Sequence, residues 1–171
     1  MSWPAVALLG PTAAGKTALA FALADRYPVH LISVDATLVY RGLAIGAAQP
    51  TAAELAAYPH ELIDIRDPAD PYSAADFLAD ARAAMARARA AGRIPLLVGG
   101  TMLYFRALQE GLAELPEARP AFRAALEDRL AKEGLSVLIE TLRAQDPEAA
   151  RRVDLKNPRR VLRAPEIMDA S

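Results

Sequence analysis

The chain has 171 residues and no cysteine, which excludes a disulfide framework, a thiolate zinc site and a cysteine nucleophile. Its longest apolar stretches, such as Pro4–Leu9 and Ile94–Val98, are too short to cross a bilayer, and the first residues lack a signal-peptide pattern. The 20 basic and 21 acidic residues give a net charge of −1, which on its own argues against a nucleic-acid-binding protein. We therefore expect a cytoplasmic protein without a membrane partner.

Strand and helix patterns alternate over residues 1–113. Apolar runs predict buried parallel strands over 4–10, 30–35, 61–65 and 93–98. Helical spacing and capping residues predict helices over 16–27, 51–57, 74–91 and 102–110. Alternation of this kind with right-handed crossovers predicts a parallel α/β sheet flanked by helices.

From residue 114 onward the pattern is helical. Amphipathic spacing and caps predict helices over 121–132 and 135–144, a short one from 147, and a last one from 159. Pro165 should kink or end that last helix, because proline lacks the amide donor and clashes with the preceding turn. The predicted division is an α/β core over 1–113, a helical insert over 114–157 and a truncated return helix over 158–171.

The charge is divided unevenly between these regions. Residues 151–171 contain six basic and three acidic side chains, so the acidic excess lies in residues 1–150. A basic run of this kind is either a solvated helix face or a contact for a phosphate backbone. Charge alone leaves both interpretations open.

A glycine-rich segment between the first strand and helix matches the pattern GxxxxGK[ST] at every fixed position. We expect all of it to bind a phosphate chain: Gly10, Pro11, Thr12, Ala13, Ala14, Gly15, Lys16 and Thr17. Lys16 would supply charge to the phosphate oxygens, and the Thr17 hydroxyl is placed to ligate Mg²⁺. A chance glycine-rich turn is the alternative. The predicted fold class is therefore α/β, a P-loop NTPase-like parallel sheet flanked by helices, with a helical insert.

Two further segments follow strands at the sheet edge where ligands collect. Asp35 ends the second strand, where a carboxylate can order Mg²⁺ or accept a proton, or can simply cap a turn. Gly99-Gly100-Thr101 follows the fourth strand, where the glycines would let a bulky substrate approach closely. Thr101 as a helix N-cap is the alternative. His30 and His60 lack ligand spacing, which favours structural roles.

Beyond the phosphate-binding loop, the chain resembles the tRNA dimethylallyltransferase (tRNA isopentenyltransferase) family. The matching segments run in family order: GPTAAGKT at 10–17, ISVDATLVYR at 32–41, IG and PT at 45–51, HELIDIRDP at 60–68, YSAADF at 72–77, RIPLLVGGTMLY at 93–104 and NPRRVLR at 157–163. LVGGTMLY and HELIDIRDP are much more specific than the phosphate-binding loop itself.

The resemblance implies transfer of a dimethylallyl group from its diphosphate to the exocyclic amine of an adenosine next to the anticodon. It implies that the catalytic residues are Asp35, which takes the amine proton, Lys16, and Thr101, which holds the reacting centre. It implies contacts with the tRNA anticodon stem-loop by Asp35, Ala36, Thr37, Leu38, Thr101, Arg123, Arg159, Arg160, Val161, Leu162 and Arg163. We expect a monomer with Mg²⁺ as the cofactor.

The sequence departs from the family pattern in three respects. The usual GTAKPT reads GAAQPT at 46–51, and the usual RALE reads RAPE at 163–166. Family members are typically close to twice as long, so we expect this chain to lack the family's C-terminal part. Three alternatives stay open: a small-molecule kinase that binds ATP at the same loop, a transferase that prenylates free adenine nucleotides, and an inactive remnant.

Overall fold

A computed structural model describes residues 5–43, 48–112 and 120–170, with backbone alone at 169 and 170. The chain divides into two compact units, Met1–Leu112 and Ala113–Ser171. This boundary lies one residue before the predicted one. The further division of the second unit into an insert and a return helix stays a prediction.

The first unit contains four strands and four helices among its described residues. In chain order they are β1 (Val6–Leu9), α1 (Lys16–Ala24), β2 (Val29–Val34), α2 (Ala52–Ala57), β3 (His60–Glu61), α3 (Ala74–Ala90), β4 (Ile94–Gly99) and α4 (Met102–Glu110). All strand pairs are parallel, and the order across the sheet is β1-β4-β2-β3. The predicted parallel α/β fold is confirmed.

Alternation along β2 directs its side chains to two apolar layers, because successive residues of a strand face opposite sides. Leu31 packs with Ala20 of α1 on one face. Ile32 and Val34 pack with Phe77 of α3 on the other. Helices therefore cover both faces of the sheet. This explains why apolar residues of this strand lie on both faces instead of alternating with polar ones.

The third strand is shorter than predicted. Only His60 and Glu61 pair with β2, whereas the apolar letters predicted a strand over 61–65. Leu62 and Asp64 have φ values of 67° and 54°, and this left-handed backbone turns the chain out of the strand. The Asp64 N–H donates to the Leu38 carbonyl at 2.9 Å instead, so this segment pairs with the loop after β2.

The second unit is helical throughout its described residues. It consists of α5 (Pro120–Glu133), α6 (Leu135–Gln145), α7 (Pro147–Arg152) and α8 (Pro158–Ala170). Leu126, Leu138, Val161 and Leu162 form the centre of its core. Among the helices within the described ranges, none has both the length and the apolar content that crossing a membrane requires.

Pro165 does not end the last helix, so that part of the prediction was wrong. Helix α8 continues through Pro165 to Ala170. A proline inside a helix costs about 3 kcal/mol through the lost hydrogen bond and the clash with the preceding turn. The residues around it, Leu162, Ala164 and Glu166, are all buried, and their packing offsets that local cost.

Candidate active site

The glycine-rich loop between β1 and α1 forms a tight turn. Gly15, at the N-cap of α1, has a φ of 77°, and Ala13 has a φ of 64°. The Ala14 N–H donates to the Pro11 carbonyl at 3.3 Å. Helix α1 has neither a side-chain cap nor an acidic residue in its first turn. Its first N–H groups and positive dipole end therefore suit an anion.

Lys16 folds back over this loop. Its ammonium donates to the carbonyl oxygens of Gly10 at 2.9 Å and Pro11 at 2.6 Å. A lysine ammonium has three N–H donors, so these two bonds leave one donor for a ligand oxygen. The loop thus fixes the position of the positive charge without an acidic side chain to neutralise it.

Asp35 is held by the backbone of the loop that it begins. Its Oδ1 accepts hydrogen bonds from the N–H groups of Thr37 at 2.8 Å and Leu38 at 3.2 Å. The turn-capping interpretation is thus correct for one oxygen of the carboxylate. The carboxylate also lines a cavity, so capping and contact with a ligand do not exclude one another here.

Thr101 connects the ends of β2 and β4. It occupies the N-cap position of α4 but makes no side-chain capping bond. Its Oγ1 instead accepts the Ala36 N–H at 3.0 Å, and its own N–H donates to the Val34 carbonyl at 3.2 Å. The segment that begins at Asp35 is therefore tied to the segment that follows β4.

A cavity of about 440 Å³ lies at the C-terminal edge of the sheet. Lys16, Thr17 and Asp35 line it, so the structure brings these three predicted site residues together. Thr101 is connected to them through Ala36 rather than through the cavity wall.

The two glycines at the end of β4, Gly99 and Gly100, are constrained by the backbone around them. A Cβ at Gly99 would lie 2.0 Å from the carbonyl oxygen of Val34, so only glycine permits the close approach of β4 to β2. A Cβ at Gly100 would lie 3.2 Å from the Gly10 carbonyl oxygen, beside the phosphate-binding loop. Gly99 also lines the cavity, so its role as room for a substrate stays a prediction beside this backbone requirement.

The two histidines differ in their surroundings. His30 pairs with Glu61 at 2.6 Å, and Glu61 also pairs with Arg87, so His30 has a structural contact as expected. His60 lines the cavity, with its Nδ1 2.7 Å from the Tyr58 carbonyl oxygen. Burial lowers the pKa of His60, so its ring is neutral at pH 7, with Nδ1 donating and Nε2 an acceptor.

The predicted RNA-binding arginines belong to the helical unit and fall into two groups. Arg159 and Arg160 are exposed at the start of α8. Arg163 donates to the buried Glu166 at 2.9 Å, and Arg123 lies 3.7 Å from the same carboxylate. The side chains of Val161 and Leu162 pack in the helical core, where they hold α8 in place.

Sequence reasoning missed three polar groups of the cavity wall, namely Ser33, Glu54 and His60. Strand alternation could have found Ser33, because it lies near the end of β2, two residues before Asp35, which directly follows the strand. The position of Glu54 depends on how the helix after residue 51 folds over the site, and no spacing rule reveals that.

A parallel α/β sheet with a glycine-rich phosphate loop between its first strand and helix defines the P-loop class of proteins. Within that class, the family model described as "IPP transferase" matches residues 38–171. The chain belongs to this family.

Individual relatives agree with the family match. The chain is 57% identical over 166 residues to a tRNA dimethylallyltransferase of Alkalilimnicola ehrlichii, covering 97% of this chain and 52% of that protein. The solved tRNA isopentenylpyrophosphate transferase of Bacillus halodurans has a TM-score of 0.61 and 41% identity, over 97% of this chain and 55% of that one. A eukaryotic dimethylallyltransferase acting on tRNA has a TM-score of 0.78 and 26% identity, over 95% and 40%. The chain thus spans about half the length of the curated relative.

Proposed function

We propose that the protein is a tRNA-modifying prenyltransferase. It would move a dimethylallyl group from dimethylallyl diphosphate to the exocyclic amine of an adenosine next to the anticodon. The observation that carries this proposal is that the phosphate-binding loop and the Asp35 carboxylate line one cavity. The relatives, a tRNA dimethylallyltransferase and a dimethylallyltransferase acting on tRNA, support transfer of a dimethylallyl group to tRNA.

The donor half of the reaction fits the phosphate-binding loop. Breaking the bond between C1 of the dimethylallyl group and its diphosphate oxygen places negative charge on the leaving pyrophosphate. The free N–H groups at the start of α1 and the ammonium of Lys16 would stabilise that charge in the transition state. The hydrogen bonds of Ala14 and Lys16 within the loop would hold these donors in position for the ligand.

Magnesium fits the residues that are present. Among the described residues there is no group of three acids or histidines that could cage a metal. Mg²⁺ does not need one, because it keeps several waters and takes one or two protein groups together with substrate phosphates. The Thr17 hydroxyl, with Asp35 on the same cavity wall, is such a site. Bound Mg²⁺ would neutralise charge on the leaving pyrophosphate.

The acceptor half of the reaction falls to Asp35. As the amine nitrogen forms its bond to C1, the carboxylate would accept the amine proton. The two backbone N–H groups on Oδ1 fix its orientation. The target base must leave its stack to reach this carboxylate, as in other enzymes that act on a base.

Recognition of the anticodon stem-loop would rest on phosphate contacts. Arg159 and Arg160 are exposed, and the Asn157 side chain accepts both of their backbone N–H groups. Contacts of this kind position an RNA without reading its sequence. We further propose that the protein acts as a cytoplasmic monomer.

Label transfer tests the reaction directly. The purified chain is incubated with Mg²⁺ and labelled dimethylallyl diphosphate, together with unmodified tRNA, AMP or no acceptor. We expect label on tRNA, lost in Lys16→Ala because the charge on the loop is removed. Arg129→Ala, which changes an exposed charge on α5, is the control and should keep its activity.

Each of the other outcomes would indicate a different function for this chain. Label on AMP alone would overturn the tRNA assignment. Transfer of the γ-phosphate of ATP would indicate a kinase. No transfer to any acceptor, with the chain folded, would indicate an inactive remnant.

A further inference from the structure

Ser33 is a buried polar residue that the proposed reaction leaves without a role. Its exposed fraction is 4%, and it lies in β2 between Ile32 and Val34. Its hydroxyl makes no hydrogen bond with any group in the part of the chain that the structure describes. The Oγ atom itself is not fully buried, because it opens onto the cavity that Ser33 lines, where a ligand can reach it.

The side of the sheet that Ser33 faces follows from its neighbours. Leu31 packs toward α1, whereas Ile32 and Val34 pack toward α3. Ser33 alternates with Ile32 and Val34, so it faces α1. This is the side on which the phosphate-binding loop leads into its helix, and Ser33 lines the same cavity as Lys16.

Outside the glycine-rich loop and the start of α1, the other polar groups of this cavity differ from Ser33 in what they can offer an anion. Asp35 and Glu54 are carboxylates, which repel it. His60 is neutral, because burial lowers its pKa, and its Nδ1 is occupied by the Tyr58 carbonyl. Its remaining nitrogen is an acceptor, which matches no oxygen of a deprotonated phosphate. A serine hydroxyl, by contrast, carries a proton to donate.

We propose that Ser33 binds the diphosphate, with its hydroxyl donating a hydrogen bond to an oxygen of the pyrophosphate moiety held by the glycine-rich loop. The inference rests on the proposed function for the identity of the ligand. The phosphate site would then have two parts. The glycine-rich loop contacts the ligand on one side, and Ser33 of β2 contacts it on the side of the sheet. The hydroxyl then gains in the complex the partner that it lacks in the free protein.

Ser33→Ala tests this inference because it removes the hydroxyl and little else. Binding of inorganic pyrophosphate and of dimethylallyl diphosphate is measured by calorimetry in the presence of Mg²⁺, with the thermal unfolding midpoint alongside. We expect both ligands to bind about tenfold more weakly, as the loss of a hydrogen bond to a charged group implies. We expect the unfolding midpoint to change little, because the hydroxyl bonds to no other group among the described residues, so its removal breaks no contact there.

Two further variants complete the design. Ser33→Thr keeps a hydroxyl on a β-branched residue that suits a strand, so it should restore most of the affinity. Ser136→Ala, an exposed serine of α6, should change neither quantity. A purely structural serine predicts the opposite pattern, in which Ser33→Ala lowers the midpoint and leaves both affinities within twofold. That pattern would overturn the proposal.

The outcomes also separate this inference from the proposed function. Equal pyrophosphate affinity in wild type and Ser33→Ala would overturn the proposed role of Ser33, even if the protein prenylates tRNA. Weaker pyrophosphate binding by Ser33→Ala in a chain that transfers no label would support the role of Ser33 and leave the prenyltransferase proposal unsupported. If only dimethylallyl diphosphate loses affinity, Ser33 contacts the prenyl end and the proposal is wrong.

Discussion

The charged side chains of the cavity in the α/β unit are held differently from the arginines of the helical unit. In the α/β unit, Lys16 and Asp35 bond to backbone groups, which orient them and leave their charges unneutralised. In the helical unit, arginines pair with carboxylates instead: Arg123 with Glu127, Arg129 with Glu133, Arg152 with Glu148, and Arg163 with Glu166. For the proposed reaction, backbone contacts would hold charges ready for chemistry, whereas carboxylate pairs would reduce the charge that remains to attract RNA.

Among the variants that test this comparison, Asp35→Asn is expected to have the largest effect. The Asn side-chain oxygen can still accept the Thr37 and Leu38 N–H groups, so the loop should keep its shape. The proton acceptor is lost, and we expect the rate of label transfer to fall by about 10²- to 10⁴-fold. Single-turnover assays measure the rate, and a thermal melt checks the fold.

Asp35→Ala is the matched comparison, because it removes both the base and the turn contacts. It should be as inactive as Asp35→Asn and less stable. An Asp35→Asn variant with near-normal turnover would contradict the assignment of the base.

Glu166→Gln tests the carboxylate pairs of the helical unit. The Glu166 side chain is 1% exposed, and its charge is balanced by Arg163 and Arg123, which both reach solvent. Losing the carboxylate charge should lower the free energy of unfolding by about 1–3 kcal/mol, since the arginines can still be hydrated. Urea denaturation measures this change.

The exposed pair of Arg152 and Glu148 supplies the control. Arg152→Gln should cost less than about 1 kcal/mol, because surface ion pairs contribute little. Equal losses in the two variants would show that burial of Glu166 has no energetic consequence.

The smallest effect is expected at the exposed arginines of α8. Replacing Arg159 and Arg160 together by Gln should weaken tRNA binding and reduce the slope of log affinity against log salt by about one per arginine. Filter binding at several salt concentrations measures both. Pyrophosphate binding should not change.

Arg129→Gln is the matched control for this pair, because its guanidinium already contacts Glu133. A slope that changes as much in this variant would mean that unpaired and paired arginines contribute alike. The contrast between the two units would then be wrong.

The sequence predicted most of the fold because its signals are local. Continuous apolar runs identified β1, β2 and β4, and the glycine-rich pattern identified the loop before α1. The length of the third strand was overestimated because no sequence rule predicts the left-handed backbone at Leu62 and Asp64. The prediction that Pro165 ends the last helix was wrong because tertiary packing overrode the local preference of proline.

The candidate site was predictable only in its local parts. Lys16 follows from the glycine-rich pattern, and Asp35 follows from its position directly after β2. The Thr101 hydroxyl accepts the Ala36 N–H, which is 65 residues away in the chain. A helix-capping rule considers only neighbouring residues, so it cannot predict this contact. The requirement for Gly99 likewise depends on how closely β4 approaches Val34, which only the assembled sheet shows.

The bond between Thr101 and Ala36 also has an entropic consequence. It closes a long stretch of chain and fixes the segment after Asp35 while the protein folds. Ordering a flexible segment costs about 1–2 kcal/mol per residue in backbone entropy alone. Because folding meets that cost here, an incoming substrate of the proposed reaction would not, and its binding energy would remain available for the transition state.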